Sequence, residues 1–429
     1  MLKTLRVRNS YTYYDETTFD FSANKDVKEH ASHVYYPNDE SDGILSVAAI
    51  YGSNASGKTN FIRVLEDISL DALNAFGQID VDILSPIASD SSLFKTLWKK
   101  RRFAFLDEPL DCISYSICVV LEEGEYELSY CFGEKGIINE KVTRRVNNKP
   151  DEIETMYIRE EGQLIECIDK NLRSYLKILI EIKEPGLWFH FVARRQDSEV
   201  FPLYNWFCLV RSGISYNDIL SNNVERFNKL AKDIYITEKP AFRTQLSSMI
   251  RETDPSVEAI HTHKSKDADT YQLAIYRNTD DPINPRALQI DTESAGILKL
   301  LDLYSGIYTA LVKGQPFVCD ELDKQLHPEV FLRLVNLFND TEINDKRAQL
   351  IFTAHNTIVL NSDFLRSDEI HIVAKDRKGI SVVKRLSEYV DEDGDSLAPF
   401  ADFEQIYRNG GFGSFPKEFL NQWRGNGGD

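Results

Sequence analysis

Residues 52–59 are Gly-Ser-Asn-Ala-Ser-Gly-Lys-Thr, which fits the phosphate-loop pattern G-x-x-x-x-G-K-[ST]. The preceding run, Ile44–Tyr51, is almost wholly apolar, as expected of a buried parallel strand. A helix is predicted after the loop, because apolar residues recur at helical spacing at Phe61, Leu65, Ile68 and Ala72. A strand, a glycine-containing turn and a helix N-terminus together bind anions, since backbone N–H groups and the helix dipole point at the phosphate. The sequence therefore predicts a nucleoside triphosphate site.

Length and composition constrain the number of domains and the classes of binding partner. The chain has 429 residues, of which 42% are hydrophobic, enough for two or three domains with a sizeable core. Its net charge of −18 argues against a generally positive surface for duplex nucleic acid. A local contact with nucleic acid or phosphate is left open at the basic run Lys95–Arg102, although a solvated surface is the favoured interpretation. Six cysteines without C-x-x-C spacing suggest neither a disulfide framework nor a zinc site.

The sequence predicts a cytoplasmic protein without a membrane partner. No run approaches the length of apolar sequence that a transmembrane helix needs. The N-terminal segment Met1–Arg8 alternates apolar and polar residues like a strand, and it lacks the apolar core of a signal peptide.

Three stretches of different character suggest the domain organisation. Residues 1–134 are rich in predicted strands around the phosphate loop and include a hairpin that turns at Glu122–Glu125. Residues 135–255 show helical periodicity, as at Leu172 and Leu179, and are predicted to form a helical insertion that serves as a lid or partner-binding element. Strand and helix patterns alternate again in residues 256–429, beginning with a strand at Tyr271–Tyr276.

A second acidic element completes the predicted nucleotide site. Pro316–Cys319 is a short apolar strand, and Asp320 and Glu321 follow it directly. Asp320 would anchor Mg²⁺ at the carboxyl end of this strand, where open α/β sheets bind their ligands. Glu321 would orient or deprotonate the attacking water.

Two further segments extend the pattern. His355 follows another apolar strand, Gln349–Ala354. Upstream, Glu293-Ser294-Ala295-Gly296 directly precedes a helix with a largely apolar face. A serine and a glycine that open a helix form an anion-binding terminus, so the chain carries two helix starts suited to phosphate.

The order of these motifs resembles that of the ABC-class ATPases, and the Gly-x-Asn-x-x-Gly-Lys form of the phosphate loop is similar to the RecF, SMC and OLD branch. More narrowly, the chain resembles the abortive-infection ATPases of the RloA-like group. The segments that carry this resemblance are Ala49–Asn54, Glu293–Gly296, Cys319–Asp323 with Leu326–Pro328, Thr353–His355, and Gly411–Gly413 before Pro416. The fold class that it implies is α/β, an ABC-type P-loop ATPase head with a mid-chain helical insertion. Residues 1–134 would be the N-terminal ATPase lobe, and residues 256–429 the C-terminal lobe.

The resemblance implies a role for each matching residue, with ATP and Mg²⁺ as cofactors. Thr59 and Asp320 would ligate Mg²⁺, Glu321 would be the catalytic base, and His355 the switch histidine. Asp323 would lie in the D-loop, which communicates between the two subunits of a dimer. The Walker A residues would be Gly52, Ser53, Asn54, Ala55, Ser56, Gly57, Lys58, Thr59 and Asn60, and the signature residues Ser294 and Gly296. No Q-loop glutamine is assigned, and Gln78 is a candidate by its order alone.

The resemblance also implies partners. In this class the signature completes the nucleotide site of a second subunit, so a homodimer or higher homo-oligomer is expected. The favoured function is the sensor or scaffold of a bacterial antiphage system that responds to a phage-protein trigger. It would control a separate toxic effector, such as a nuclease encoded nearby.

Other functions are less favoured. A RecF-like DNA-repair or recombination ATPase is the alternative, against which the acidic charge and the absence of persistent apolar heptads argue. Nucleic acid is thus an open partner class that the charge does not indicate. A one-chain nuclease of OLD type would need a further module, yet only 74 residues follow His355, and the acidic cluster that begins at Asp391 is interpreted as a solvated turn. A transporter subunit fits neither the insertion nor the form of the phosphate loop.

Overall fold

The computed structural model describes residues 1–37, 42–74, 90–104, 110–146, 152–168, 170–215, 231–232, 240–264, 271–277, 286–288, 293–361, 363–390, 402–409 and 411–413. In chain order the strands are β1 (Leu2–Arg8), β2 (Thr17–Asp20), β3 (Val34–Tyr35), β4 (Ile44–Leu45), β5 (Val47–Tyr51), β6 (Ile113–Leu121), β7 (Gly124–Gly133), β8 (Gly136–Val146), β9 (Ile153–Glu160), β10 (Gln163–Cys167), β11 (Ile214–Ser215), β12 (Val257–Lys264), β13 (Tyr271–Arg277), β14 (Arg286–Leu288), β15 (Pro316–Cys319), β16 (Gln349–Thr353), β17 (Ile370–Lys375) and β18 (Ser381–Arg385). The helices are α1 (Lys58–Asn74), α2 (Asp90–Arg101), α3 (Lys170–Glu181), α4 (Trp188–Ala193), α5 (Phe201–Gly213), α6 (Pro240–Thr253), α7 (Ala295–Lys313), α8 (Pro328–Asn339) and α9 (Phe403–Arg408). Gln78, Asp391 and Pro416 lie outside the described residues.

The phosphate loop follows a middle strand of a six-stranded sheet, called here the central sheet, whose order is β11-β15-β16-β5-β17-β18. β5 pairs in parallel with β16 on one side and with β17 on the other, whereas β17 and β18 are antiparallel. All five residues of β5 are buried, since a parallel strand is covered on both faces. The predicted strand is confirmed from Val47 onward; its first two residues pair instead with β3.

The two faces of the central sheet belong to two separate cores. Ala48 and Ile50 point into a core that also contains α1 and one face of a second sheet. Val47 and Ala49 point the opposite way, into a core built largely from α7 and α8. Successive residues of a strand face opposite sides, so one short segment fixes both layers around the phosphate loop.

The second sheet is antiparallel and has the order β10-β9-β8-β7-β6-β1-β2. The predicted hairpin is confirmed, because β6 and β7 pair from Ile113 opposite Phe132 to Leu121 opposite Gly124. Helix α1 contributes to the core between the two sheets, and the predicted apolar positions Phe61, Leu65, Ile68 and Ala72 are all buried there. Helix α1, which begins at the end of the phosphate loop, therefore lies between the central sheet and the antiparallel sheet.

The mid-chain helical insertion is present, since α3, α4, α5 and α6 lie between residues 170 and 253. Its start differs from the predicted residue 135, because β8, β9 and β10 extend the antiparallel sheet as far as Cys167. These strands are rich in charged residues, and their burial alternates along each strand, so they lack the apolar density that marked the earlier strands. The other predicted domain limits remain predictions.

The insertion is joined to the rest of the molecule at several points. The buried carboxylate of Glu140 on β8 accepts hydrogen bonds from the backbone N–H groups of Trp188 and Phe189, at 2.9 and 2.7 Å, and so caps α4. Helix α5 packs against α1, and β11 adds a parallel strand beside β15. Residues 201–215 are therefore part of the scaffold around the phosphate loop. Deletion of the whole stretch 135–255 would remove strands of both sheets.

Helix α7 is long and apolar enough, by length and composition, to cross a membrane. Eight of its residues are buried, and its apolar face lies in the second core with α8 and the central sheet. Its hydrophobicity is thus explained by the core that it fills. The sequence had suggested no such segment, because Lys299, Asp302 and Lys313 interrupt the apolar run.

A buried histidine beside the phosphate loop should make stability depend on pH. Burial lowers the pKa of His371 on β17 from 6.5 to about 4, and its Nε2 bonds the carbonyl oxygen of Asp20 at 2.9 Å. Between these pH values the unfolded chain takes up a proton that the folded chain refuses, so stability falls as the pH decreases. We expect the wild type to lose about 3 kcal/mol more than His371→Gln between pH 6.5 and 4. Urea midpoints across this range test this, and equal losses would contradict it.

Candidate nucleotide-binding site

The phosphate loop requires glycine at two positions. A Cβ atom at Gly52 would lie 2.2 Å from the carbonyl oxygen of Val373 on β17. Gly57 has φ +116°, and a Cβ there would lie 2.7 Å from the hydroxyl oxygens of both Ser381 and Thr12. Side chains rarely tolerate either condition, so the first and sixth positions of the pattern are explained by their surroundings in this fold.

Lys58 begins α1 and turns back over the loop. Its Nζ donates to the carbonyl oxygens of Gly52 and Ser53, at 2.7 and 3.1 Å. Burial lowers the pKa of the ammonium, and the nearby carboxylates of Asp320 and two other acidic residues oppose that shift. The ammonium thus occupies the mouth of the loop, where an anion would be its natural partner.

The remaining loop residues divide into an exposed tip and a buried base. Asn54 and Ala55 form the exposed tip, and Ala55 adopts φ +63°. Ser56 is buried, and no hydrogen-bond partner for its Oγ is found among the described residues. Asn60 donates through Nδ2 to Thr12 Oγ1 at 3.0 Å and so links α1 to the segment after β1.

Two side chains from distant parts of the chain fix the loop backbone. The hydroxyl of Tyr13 donates to the carbonyl oxygen of Gly57 at 2.8 Å. Ser381, the first residue of β18, donates to the carbonyl oxygen of Ser56 at 2.5 Å. Both bonds are buried, which makes an unpaired partner costly, so the loop is held in one conformation before any ligand arrives.

Thr59 and Asp320 lie together, as the sequence predicted. The Thr59 hydroxyl donates to Asp320 Oδ1 and Oδ2 at 3.2 and 3.1 Å. Thr353, the last residue of β16, donates to Asp320 Oδ1 at 2.6 Å and accepts the backbone N–H of Glu321 at 2.7 Å. Thr353 therefore ties together the carboxyl ends of β15 and β16, where ligands bind in sheets of this kind.

Glu321 is held in an uncommon conformation. Its φ is +50°, which costs about 1 kcal/mol for a residue with a side chain and is enforced by the bond from Glu321 N to Thr353. The carboxylate accepts from Lys324 Nζ at 2.8 Å and lies 3.7 Å from Nε2 of His355. About a third of its side chain is exposed, so water can reach it.

Asp323 organises the end of the histidine strand. Its Oδ2 accepts the backbone N–H groups of His355 and Asn356, at 2.9 and 2.6 Å. Its Oδ1 is buried, and no hydrogen-bond partner for it is found in the described part of the chain. Asp323 thus fixes the position of His355 with one oxygen.

The second helix start is exposed at its first residues. Ser294 is exposed and is the N-cap of α7, with its Oγ accepting from Ile297 N at 3.4 Å. A Cβ on Gly296 would lie 3.1 Å from the carbonyl oxygen of Gln325. The structure assembles Lys58, Thr59, Asp320, Glu321, Asp323 and His355 around one site. Ser294 is exposed, and Gly296 packs beside the loop that follows Asp323.

The donor set fits Mg²⁺. Thr59 Oγ1 and the carboxylate of Asp320 are hard oxygen ligands, and they already face each other across about one hydrogen-bond length. Mg²⁺ takes such ligands together with substrate phosphates and water. These two residues would hold the ion beside the loop.

Several contributors were missed by sequence reasoning. Tyr407 on α9 accepts from the backbone N–H of Gly52, and its ring meets Tyr51 edge-on at 5.9 Å. Thr353 and Lys324 complete the acidic cluster. Thr353 lies within the segment Thr353–His355, and Lys324 directly follows Cys319–Asp323. A polar residue at the end of the strand before His355 was therefore a usable signal, whereas nothing local marked Tyr407.

The basic run is smaller at the surface than its sequence suggested. Arg101 is buried, and its guanidinium pairs with Asp67 and Asp71 at 3.1 and 2.7 Å. Arg102 stacks over Trp98 with its Cζ 4.4 Å from the ring centroid. Within this run the exposed cations are mainly Lys95, Lys99 and Lys100, which weakens the case for a nucleic-acid contact there.

A protein-family model matches residues 206–361, and its description is AAA domain, putative AbiEii toxin, Type IV TA system. The match covers just over a third of the chain. It includes Ser294, Asp320, Glu321 and His355 but not the phosphate loop. No curated protein matches the chain in sequence.

Among solved structures, the SMC head domain from Thermotoga maritima is 15% identical, with 90% of this chain and 98% of that chain covered and a TM-score of 0.42. A Smc head bound to the C-terminal winged-helix domain of ScpA is 14% identical, with 89% and 96% covered and a TM-score of 0.45. A Smc head with an extended coiled coil, bound to a ScpA domain from Pyrococcus furiosus, is also 14% identical, with 89% and 95% covered and a TM-score of 0.42. At these TM-scores the likenesses add no argument beyond the site itself.

Proposed function

We propose that this chain is an ABC-class P-loop ATPase of the RecF and SMC branch. It acts as the nucleotide-driven sensor of a bacterial antiphage system and controls a separate toxic effector. The α/β fold with a mid-chain helical insertion that the sequence predicted is confirmed. The phosphate loop and the acidic cluster around Asp320 support ATP hydrolysis as the activity. The observation that carries the proposal is the division of the site. One half is assembled around the phosphate loop, while the second anion-binding helix start stands exposed.

The exposed helix start completes the site of a second copy. Ser294 and Gly296 present the N-terminus of α7 at the surface, where backbone N–H groups and the helix dipole attract phosphate. In a two-fold dimer each chain would place this terminus on the γ-phosphate held by the other chain. ATP would then close the dimer, and hydrolysis would release it.

Hydrolysis follows from the acidic cluster. Glu321 takes a proton from water as the water oxygen bonds to the γ-phosphorus and the β–γ bridging bond breaks, which leaves ADP and phosphate. Lys58 stabilises charge that develops on the bridging oxygen. His355, oriented by Asp323, contacts the γ-phosphate and senses its loss. Mg²⁺ held by Thr59 and Asp320 would neutralise phosphate charge.

The link to a toxin comes from the pattern of motifs and from the family description. The motifs resemble those of abortive-infection ATPases, and the family model is described by a putative toxin of a Type IV toxin–antitoxin system. We propose that a phage protein triggers a change of nucleotide state in the cytoplasm. That change frees or activates an effector, such as a nuclease, made from a neighbouring gene.

The test is a pull-down of Glu321→Gln protein from its native host, with Lys58→Ala as the nucleotide-free control. A stoichiometric effector that carries nuclease-like acidic motifs, enriched on Glu321→Gln, would support the proposal. Recovery of DNA with replication or repair factors, without such a partner, would favour the RecF-like alternative. Because β8 to β11 are built into the sheets, point variants replace deletion of the insertion in this experiment.

A further inference from the structure

One guanidinium joins three separate segments next to the exposed helix start. Arg277 is the last residue of β13. Its Nη1 donates to Asp254 Oδ2, and also to Ser256 Oγ at 2.6 Å, just after the end of α6. Its Nη2 donates to Glu293 Oε2, on the residue that immediately precedes Ser294. We call this set of contacts the Arg277 clamp.

The position of the Glu293 carboxylate depends on its hydrogen bond from Arg277. The Glu293 side chain has no exposed surface, and no hydrogen-bond partner for its other oxygen, Oε1, is found among the described residues. A buried carboxylate without a paired cation is costly, by several kcal/mol after relaxation. Arg277 therefore determines where Glu293 lies, and the next residue in the chain is the N-cap of α7.

Asp254, on the α6 side of the Arg277 clamp, is also held by several hydrogen bonds. Asp254 N donates to the carbonyl oxygen of Ile250 at 2.7 Å and so continues from α6. Asp254 Oδ1 accepts from the backbone N–H and the hydroxyl of Ser256, at 2.9 and 2.6 Å. The end of the helical insertion is thus bonded through one side chain to the start of the signature helix.

We infer that Arg277 is a positioning residue that holds the signature serine in place to complete the nucleotide site of the partner subunit. This inference rests on the proposed function, since it requires Ser294 to act across a dimer. Among the residues that the structure describes, the clamp residues bond one another and Ser256, and none of them bonds the phosphate loop. Loss of Arg277 should therefore damage a site that belongs to the other chain.

The first measurement separates binding from turnover. Arg277→Met should leave the ATP affinity of its own phosphate loop unchanged and lower turnover by about a hundredfold, the cost of a ~1 Å misplacement. Arg277→Lys keeps a cation but not the fork that reaches both acids, so an intermediate rate is expected. Thermal unfolding of each variant shows whether the fold survives. If Arg277→Met folds and turns over ATP like the wild type, the inference is wrong.

The decisive measurement mixes Arg277→Met with Lys58→Ala. Each alone should be nearly inactive, but a mixed dimer pairs the intact phosphate loop of the first with the intact signature of the second. An equal mixture should recover about a quarter of the wild-type rate, because half of the randomly formed dimers are mixed and each has one intact site of two. Arg277→Met/Glu293→Gln removes the buried carboxylate together with its partner cation, and it serves as a second variant for the same mixture if the single variant is unstable.

A mixture of Ser294→Ala with Lys58→Ala distinguishes the role of Arg277 from the arrangement of the site across a dimer. If this pair recovers activity and the Arg277 variants do not, Arg277 acts within its own chain and the positioning role is overturned. If the Ser294 pair also fails to recover, the arrangement across a dimer is wrong, and the proposed mechanism fails with it. Recovery of activity by both mixtures supports the positioning role of Arg277 and the site shared across a dimer.

Discussion

Glu321→Gln is expected to keep ATP bound and to slow its hydrolysis by about a hundred- to ten-thousand-fold, the usual contribution of a general base. The substitution preserves shape, and the glutamine oxygen can still accept from Lys324, which lies 2.8 Å from the native carboxylate. The φ of +50° at this position is imposed by the backbone bond to Thr353 and should survive. The site therefore loses a proton acceptor and little else.

Because Glu321→Gln should bind ATP without hydrolysing it, the variant should remain an ATP-bound dimer. In single-turnover experiments the variant should retain radiolabelled ATP, and light scattering should report a larger species with ATP than with ADP. Glu342→Gln is the matched control, because Glu342 is exposed on the turn after α8. Hydrolysis by Glu321→Gln at the wild-type rate would remove the assignment of this residue as the base.

Lys58→Ala is expected to abolish measurable ATP binding. The side chain supplies an ammonium at the loop mouth that hydrogen-bonds two carbonyl oxygens, at 2.7 and 3.1 Å, and would transfer to phosphate oxygens. Two bonds to charged groups are worth roughly 1.5–3 kcal/mol each, which corresponds to at least about a hundredfold in Kd. The acidic cluster would also lose a buried cation that interacts with Asp320, Glu321 and Asp323, so repulsion of the triphosphate adds to the loss.

Isothermal titration with ATP tests this prediction, and Lys99→Ala on the exposed side of α2 is the control. Thermal unfolding without nucleotide should show a folded protein, since the loop is still held by Tyr13 and Ser381. A Kd within a few fold of the wild type would show that the phosphate loop is not the nucleotide site.

The local parts of the site could be predicted from sequence, because their geometry is set by short-range rules. A buried strand, a glycine turn and a helix start specify an anion site wherever they occur in this order, and the Asp320–Glu321 pair follows a strand that had to be buried. The bond from Thr59 to Asp320 then follows from parallel strand order.

What sequence reasoning missed depends on tertiary packing. β8 was not foreseen, because Glu140 and Arg144 interrupt its apolar pattern, and only the structure shows that Glu140 is buried as a cap for α4. Tyr407 and Ser381 reach the phosphate loop from distant segments, and no periodicity records such contacts. The Arg277 clamp likewise joins residues whose proximity arises only in the folded chain.

The supports of the phosphate loop also have a consequence for biosynthesis. Ser381 meets the loop across 325 residues of sequence, and Val373 and Tyr407 lie similarly far along the chain. A ribosome that adds about 5–20 residues per second needs roughly 16–65 seconds to pass from Lys58 to Ser381. During that interval the nascent polypeptide has its phosphate loop but lacks the segments that hold it. The phosphate loop has all of these supports only after the segment that contains Ser381 and Tyr407 has been made, so fragments that end before it should bind ATP poorly.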